Sequence, residues 1–238
     1  MPRPQFTIAS LNARWGLDVT DRPFGLAEAV AGFGTDVVAV QEVFEPDGAP
    51  HPLDTVARAG GYRRLGAALS PSFVAPRPEI TRDPDLATGT WGIALLSRLP
   101  VLDVDLVDLG RAIDRWDVAD RLAILARLDV DGEPVTVAAV HLSFALPNAL
   151  AQLRTLHARL PRAERTVVVG DCNLWGPVAA TALGGRRRAV RGRTWPAHRP
   201  HSQLDHVLLG DGLRATSGEV LPPVGSDHLP IRATIRVV

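Results

Sequence analysis

Two mixed β-sheets packed face to face, with helices on their outer faces, are the architecture this sequence predicts, an α/β (α+β) sandwich. Three observations predict it. Short β-branched apolar runs recur along the whole chain of 238 residues. Asp-Gly turn signals lie between successive runs at Asp131-Gly132 and at Asp211-Gly212, which marks antiparallel hairpins. Amphipathic stretches with helical spacing interrupt the runs at intervals. Hairpins this common fit poorly with a purely parallel, doubly wound sheet.

The elements follow in order. Residues 5–12 read as a strand, 24–33 as a helix, 36–42 as a strand, 52–60 as a helix and 62–69 as a strand. Residues 70–90, with Pro71, Pro76, Pro78 and Pro84, read as a long surface loop near the site. Strands follow at 91–97, 101–107, 121–130 and 134–142. The helix over 147–160 carries Leu150, Leu153, Leu156 and Leu160 as one apolar stripe, with Pro147 suited to its first turn and Pro161 to its end. A strand at 165–171, a short helix at 177–183, a basic loop and strands at 205–209, 213–221 and 231–238 complete the chain. No internal repeat is present, and 1–238 reads as one domain.

Composition narrows the function. Hydrophobic residues make up 46% of the chain and aromatics 5%, so the core is expected to be aliphatic. Formal net charge is zero, which leaves any polyanion binding to a local patch. All 26 basic residues are arginines, so Schiff-base and P-loop lysine chemistry are excluded. Cys172 is the only cysteine, no intrachain disulfide is possible, and a reducing compartment is expected. The N-terminus lacks a secretion-type apolar region and no stretch approaches the length of a membrane span, so a cytoplasmic location is expected.

The most informative segment is Val167-Val168-Val169-Gly170-Asp171-Cys172-Asn173. In extended geometry Asp171 and Asn173 share a face and Cys172 takes the other, as a small buried hydrophobe. A carboxylate beside a carboxamide at a strand end can hold a water, a phosphate oxygen or a hard metal ion. An Asx-turn that closes the strand is the competing reading. The pattern recurs: Asn12, Glu42 and His141 also end probable strands, while Asp205, Asp227 and His228 stand at or just before strand starts. If the later strands run antiparallel to the earlier ones, all eight side chains meet at one sheet edge.

Each residue has a chemical reading. Glu42 is a candidate ligand for Mg²⁺ or Mn²⁺, and Asn12 either adds an amide oxygen or holds the Glu42 carboxylate. Asp205 is placed to fix the tautomer of His228, a pair able to stabilise a phosphorane or move a proton. Asp171 would act on the attacking water and Asn173 on the phosphate. The 184–201 loop has six arginines and no acid, with Trp195 interleaved. Arg186, Arg187, Arg188 and Trp195 are therefore candidate contacts for DNA or RNA, and Arg121 a further candidate phosphate contact.

The segments Ser10-Leu11-Asn12, Val40-Gln41-Glu42, Leu96-Ser97-Arg98, Val140-His141-Leu142, Gly170-Asp171-Cys172-Asn173, Leu204-Asp205-His206 and Ser226-Asp227-His228 together resemble the endonuclease/exonuclease/phosphatase superfamily. The resemblance implies a four-layer α/β sandwich and metal-dependent phosphoester hydrolysis. It implies Glu42 as main metal ligand with Asn12 beside it and Asp227 in support. It gives Asp171 and Asn173 the water and the phosphate, His141 the scissile phosphate and Asp205 the orientation of His228. Arg14 stands where abasic-site enzymes tend to have an acid.

The leading expectation is a Mg²⁺- or Mn²⁺-dependent phosphodiesterase or nuclease. The alternatives are a phosphomonoesterase or phospholipid-headgroup hydrolase on the same site, and, from another class, a catalytically inactive phosphate-binding module.

Overall fold

The computed structural model describes residues 3–70, 89–111, 117, 119–161 and 165–238, with backbone alone for 67–70. Its elements are β1 (Gln5–Asn12), α1 (Leu26–Gly32), β2 (Val37–Pro46), α2 (Asp54–Gly60), β3 (Arg63–Ser70), β4 (Gly89–Ser97), β5 (Val101–Arg111), β6 (Asp120–Val130), β7 (Glu133–His141), α3 (Leu146–Arg159), β8 (Arg165–Asp171), α4 (Gly176–Ala182), β9 (Arg187–Arg188), β10 (Asp205–Leu209), β11 (Leu213–Val220) and β12 (Ile231–Val237). Most of the loop expected over 70–90 lies outside the described residues.

Among the described residues, twelve strands form two mixed sheets of six. The first runs β11-β12-β1-β2-β4-β3 and the second β5-β6-β7-β8-β10-β9. Their inner faces meet in an aliphatic core that includes Ile8, Val37, Leu95, Ile124, Val137, Val169, Val207 and Ile235. Alternation along each strand sends the other side chains outward, where helices cover them. Leu26 and Val30 of α1, Phe33 just after it and Val56 of α2 pack over Leu11, Val38, Val40 and Leu96 of the first sheet. Leu153 and Leu156 of α3 and Ala179 of α4 pack over Ala138, Val140, Val168 and Leu208 of the second. The result is a helix–sheet–sheet–helix sandwich. Each fully buried leucine of α3 contributes about 1.5–3 kcal/mol to that docking. Gln152 of the same helix accepts the Ser143 N–H at 2.9 Å, which ties the chain after β7 to α3.

Each sheet has one parallel pair near its centre, β1 with β2 and β7 with β8. The other pairings are antiparallel. β12 runs against β1, and β10 runs against β8 with Asp205 opposite Asp171. Starts of the later strands therefore lie at the ends of the earlier ones.

The hairpin expected across Asp211-Gly212 does not form. β10 pairs with β8 and β9 in the second sheet, while β11 pairs with β12 in the first. The turn there carries the chain between sheets, because Leu213 finds its ladder partner in Val237 rather than in β10. The Asp131-Gly132 hairpin does form, with both residues at positive φ, 52° and 86°, as a type I′ turn requires. Among the described residues, no helix is long and apolar enough to cross a membrane.

Candidate active site

The C-terminal ends of β1, β7 and β8 deliver Asn12, His141 and Asp171 to one edge of the sandwich, and Glu42 joins them from within β2, which runs on to Pro46 rather than ending there as expected. The backbone is specialised there. β2 carries a bulge against β4: Val40 pairs with Ala94 and Val43 with Gly92, so one extra residue is accommodated on β2. Glu42 sits in that bulge at φ 52°. A bulge re-aims a side chain, here the carboxylate of Glu42 into the cavity. Gly170 precedes Asp171 at φ 136°, and a Cβ there would stand 2.0 Å from the Val140 carbonyl oxygen. β8 can approach β7 this closely only with glycine at that step.

Asn12, almost fully buried, donates from Nδ2 to Glu42 Oε1 at 3.0 Å and to Asp171 Oδ2 at 3.0 Å. Its Oδ1 accepts the Arg14 N–H at 3.0 Å. The amide thus presents nitrogen, not oxygen, to the carboxylates, which fits the role of holding Glu42 rather than that of a metal ligand. Asp171 uses its other oxygen, Oδ1, to accept the Asn173 N–H at 2.8 Å. The Asx-turn and the pocket-facing carboxylate are therefore both present in one residue. Asn173, at φ 50°, donates from Nδ2 to Leu142 O at 2.9 Å. Cys172 between them is buried in the core beneath α3 and α4.

His228 joins this edge from the segment before β12. Its Nδ1 lies 2.9 Å from Asp205 Oδ2 and its Nε2 3.8 Å from Asp171 Oδ2. Burial alone would lower its pKa, but the Asp205 and Asp171 carboxylates outweigh that and raise it to about 10. Both carboxylates favour the imidazolium, which donates from Nδ1 to Asp205. The Ser226 hydroxyl donates to Asn12 O at 2.6 Å and accepts the His228 N–H at 3.2 Å, which locks the histidine segment to the end of β1.

His141 is the electrostatic opposite. Desolvation, Arg121 and His228 hold its pKa well below the ordinary value. Arginine only donates, so the 3.2 Å contact between Arg121 Nη1 and His141 Nδ1 makes Nδ1 the acceptor. The proton of the neutral ring is then on Nε2, which stands 3.6 Å from Glu42 Oε1 and 3.8 Å from Asp171 Oδ2. Trp91 packs edge-on against the ring, with centroids 5.6 Å apart.

The cavity has a volume of about 650 Å³. Glu42, His141, Asp171, Asn173, Asp227 and His228 line it, while Asn12 and Asp205 support the lining from beneath. Trp15, Trp91, Phe144, Trp175 and Trp195 make its walls aromatic. Desolvation raises the Glu42 carboxyl, and nearby Asp227 adds to the rise; desolvation raises Asp171 to about 7. Carboxylates outnumber cations here, since Arg121 is already paired with Asp117. A hard divalent cation fits such an oxygen-rich, electronegative cavity. Ligand atoms of Asp171, Asp205 and His228 also lie within 4.8 Å of one another, a second group able to hold an ion.

The expected substrate contacts fall in different places. Arg121 lines the cavity, but its Nη2 is held by both Asp117 oxygens at 2.9 and 3.0 Å and its Nη1 by His141. It orients His141 rather than standing free for phosphate. Trp195 lines the cavity and donates from Nε1 to Asp227 Oδ2 at 3.3 Å. Arg186, Arg187 and Arg188 do not reach the cavity. Arg187 and Arg188 pair with Leu209 and Leu208, at the end of β10 away from Asp205. Four ladder steps at about 3.3 Å each separate that end from the site. Arg14, for its part, turns away to an ion pair with Asp21 at 2.7 Å. Asp117, Trp15, Trp91, Phe144 and Trp175 join the site without having been expected there. The opposite charges of Asp117 and Arg121, four residues apart, are the one signal available in the sequence.

The model of the endonuclease/exonuclease/phosphatase family matches residues 9–228, and the chain belongs to that family. Its members are generally hydrolases of phosphoesters and typically depend on a divalent metal. A search of curated proteins finds no match. Among solved structures, an endonuclease/exonuclease/phosphatase from Beutenbergia cavernae is similar at 20% identity and a TM-score of 0.77, over 99% of this chain and 72% of that one. The mannosyl-6-phosphatase of Bacteroides thetaiotaomicron aligns at 15% identity and 0.73, over 96% and 98% of the two chains. The human Nocturnin catalytic domain, with a bound sulfate, aligns at 19% and 0.72, over 100% and 96%.

Proposed function

We propose that this chain hydrolyses phosphodiester bonds with Mg²⁺ or Mn²⁺, and that its substrate is nucleic acid. The observation that carries the reading is geometric: the Nε2 atoms of His141 and His228 both lie 3.8 Å from the same Asp171 oxygen, with Glu42 Oε1 3.6 Å from His141 and Asp205 at 2.9 Å behind His228. That arrangement places two imidazoles and two carboxylates around one point in the cavity, and the neighbouring carboxylates favour the charged form of His228.

In this reading Asp171 takes a proton from, or aligns, the attacking water. His141 Nε2–H and the remaining Asn173 amide hydrogen donate to phosphoryl oxygens. The His228 imidazolium, steadied by Asp205, stabilises charge as it develops at phosphorus. Glu42, with Asp227 in support, would hold the cation, and Asn12 would hold Glu42. Bound there, a divalent ion supplies Lewis-acid stabilisation of the phosphoryl and leaving oxygens. We assign the ion to the Glu42 side because Mg²⁺ prefers oxygen ligands, and because Asp205 already engages His228 at 2.9 Å. The aromatic walls favour a substrate that carries flat rings, as nucleotides do.

The test is hydrolysis of bis-(p-nitrophenyl) phosphate and of p-nitrophenyl phosphate with Mg²⁺, Mn²⁺ or EDTA. Metal-dependent turnover of the diester is expected. Turnover of the monoester alone would assign a phosphomonoesterase. A folded protein inert on both would make this a phosphate-binding module. Plasmid DNA, abasic duplex, RNA, phosphoinositides and sphingomyelin then sort the natural substrate.

A further inference from the structure

The arginines that fail to reach the cavity converge elsewhere. Arg186, Arg187, Arg188 and Arg191 meet Arg214 of β11 around a depression of about 390 Å³, lined otherwise by Leu209 and Ala215 and by no acid. It lies where the edge strand of the second sheet, β9, meets the edge strand of the first, β11. The depression is built rather than incidental. Arg187 spans the two sheets, donating from Nη2 to Gly210 O at 3.3 Å and Leu213 O at 2.7 Å. Arg186 donates from Nη1 to Thr166 O at 3.1 Å, and its buried Nε has no partner. Asp211, in the adjoining hollow, is the acid whose field acts on Arg186.

The charge is left without carboxylate partners, unlike that of several other surface arginines. Arg165 has Glu133 at 2.9 Å and Arg232 has Glu219 at 2.8 Å. Among the described residues no carboxylate lies within 4.0 Å of Arg187, Arg188, Arg191 or Arg214. Arg214 also stands directly opposite Arg236 on β12. Like charges in facing positions destabilise a strand pair, and an anion between them removes that penalty.

We propose that this five-arginine depression is a binding site for the phosphate backbone of a nucleic acid, separate from the catalytic cavity. No aromatic side chain lines it, so bases are not read there; arginine forks on phosphates position a strand without regard to sequence. The roughly 13 Å of four β-ladder steps between Leu209 and Asp205 corresponds to about four phosphates along one strand of a duplex. A backbone held at the seam is thus within a few nucleotides of the catalytic edge. The choice of nucleic acid as the polyanion rests on the proposed diesterase activity; the anion site itself does not.

The test measures binding of a fluorescein-labelled duplex by anisotropy across a salt series, in the presence of EDTA. The charge reversal R191E/R214E alters two exposed arginines whose side chains make no hydrogen bond among the described residues. The slope of log affinity against log salt should become shallower by about 2, near 0.9 for each phosphate that is no longer neutralised. Hydrolysis of bis-(p-nitrophenyl) phosphate should be unchanged. The control R58E/R63E changes net charge equally on α2 and β3 and should keep the wild-type slope. An unchanged slope in R191E/R214E, an equal change of slope in the control, or displacement of the duplex by polyglutamate as readily as by unlabelled duplex would overturn the proposal. If the wild type binds duplex at the seam yet leaves the small diester intact, the diesterase reading fails and the backbone site stands.

Discussion

Gly170→Ala is the substitution that links the fold to the site most directly. Two independent features require glycine. The backbone is at φ 136°, and an added Cβ would meet Val140 O at 2.0 Å and Gln41 Nε2 at 3.1 Å. Cβ contacts essentially stop at 3.0 Å, so β7 and β8 must part by about 1 Å. Backbone strain at such a φ costs about 1–3 kcal/mol, and forced overpacking a further 1–3 kcal/mol. We expect a destabilisation of about 4 kcal/mol, or roughly 8–16 °C in Tm for a chain of this length. The same displacement reaches chemistry, because Val140 pairs with Gly170 and the next step pairs His141 with Asp171. A shift of about 1 Å between those side chains should lower kcat on bis-(p-nitrophenyl) phosphate on the order of 100-fold. Thermal unfolding followed by circular dichroism, with turnover measured below the variant's Tm, checks both halves. A Tm within about 2 °C of wild type would refute the close-approach reasoning. A lowered Tm with full turnover would refute the claim that ladder spacing sets the site.

Three further outcomes follow from the same geometry. Glu42→Gln keeps an acceptor for Asn12 but removes the charge, so the rise in Tm on adding Mg²⁺ or Mn²⁺ should vanish and kcat should fall at least about 100-fold; a variant still stabilised by the metal would move the ion elsewhere. His228 should remain an imidazolium from about pH 6 to 9 in a ¹H–¹⁵N spectrum that reports ring protonation, and Asp205→Asn should bring its titration into that window. Because its pKa is raised in the fold, its charged-form stability is complete below the ordinary value of 6.5 and lost as pH rises through about 10. Wild type should therefore lose stability over that alkaline range more than Asp205→Asn does. Cys172, buried with its thiol pushed well above the ordinary value, should not react with a thiol reagent until the protein unfolds; rapid modification of the native protein would contradict its place in the core.

What the sequence makes legible here is periodicity that ends in a polar residue. Val-Val-Val before Gly170-Asp171 betrays both the strand and the edge at which it stops, and Val37 to Val40 before Gln41-Glu42 betrays the strand, because two-residue alternation leaves little freedom for the side chain that follows. Bulges and partners are not legible in that way. The strand ending at Glu42 in the alternation pattern runs on to Pro46, since a single residue at positive φ restores pairing with β4. Asp211-Gly212 has hairpin chemistry, yet turn chemistry is local and does not say which sheet receives the next strand. Arg186 to Arg188 lie in sequence between two site elements, but the antiparallel run of β9 along β10 carries them to the opposite end. Arg121 reads as free in the sequence because Asp117, its partner, is visible there only as a charge four residues away.

The strained positions gather at the same edge as the acids. Glu42 at φ 52°, Asn173 at φ 50° and Gly170 at φ 136° all adjoin the cavity. Desolvation holds the Glu42 and Asp171 carboxyls above their ordinary values there, and Asp205 Oδ1 is buried without a partner. No packing requirement explains carboxylates at the rim of an aliphatic core, because an apolar residue at any of these strand ends would bury more cheaply. The surrounding structure instead holds them in place: Asn12 bridges two of them, Ser226 ties the His228 segment to β1, and Asp117 fixes the arginine that fixes His141. Supports of this kind are needed when charged groups must keep a set geometry in a low-dielectric cavity. The unsatisfied negative charge that they preserve is what the proposed divalent cation would offset, and that cation would in turn attract an anionic phosphoryl group.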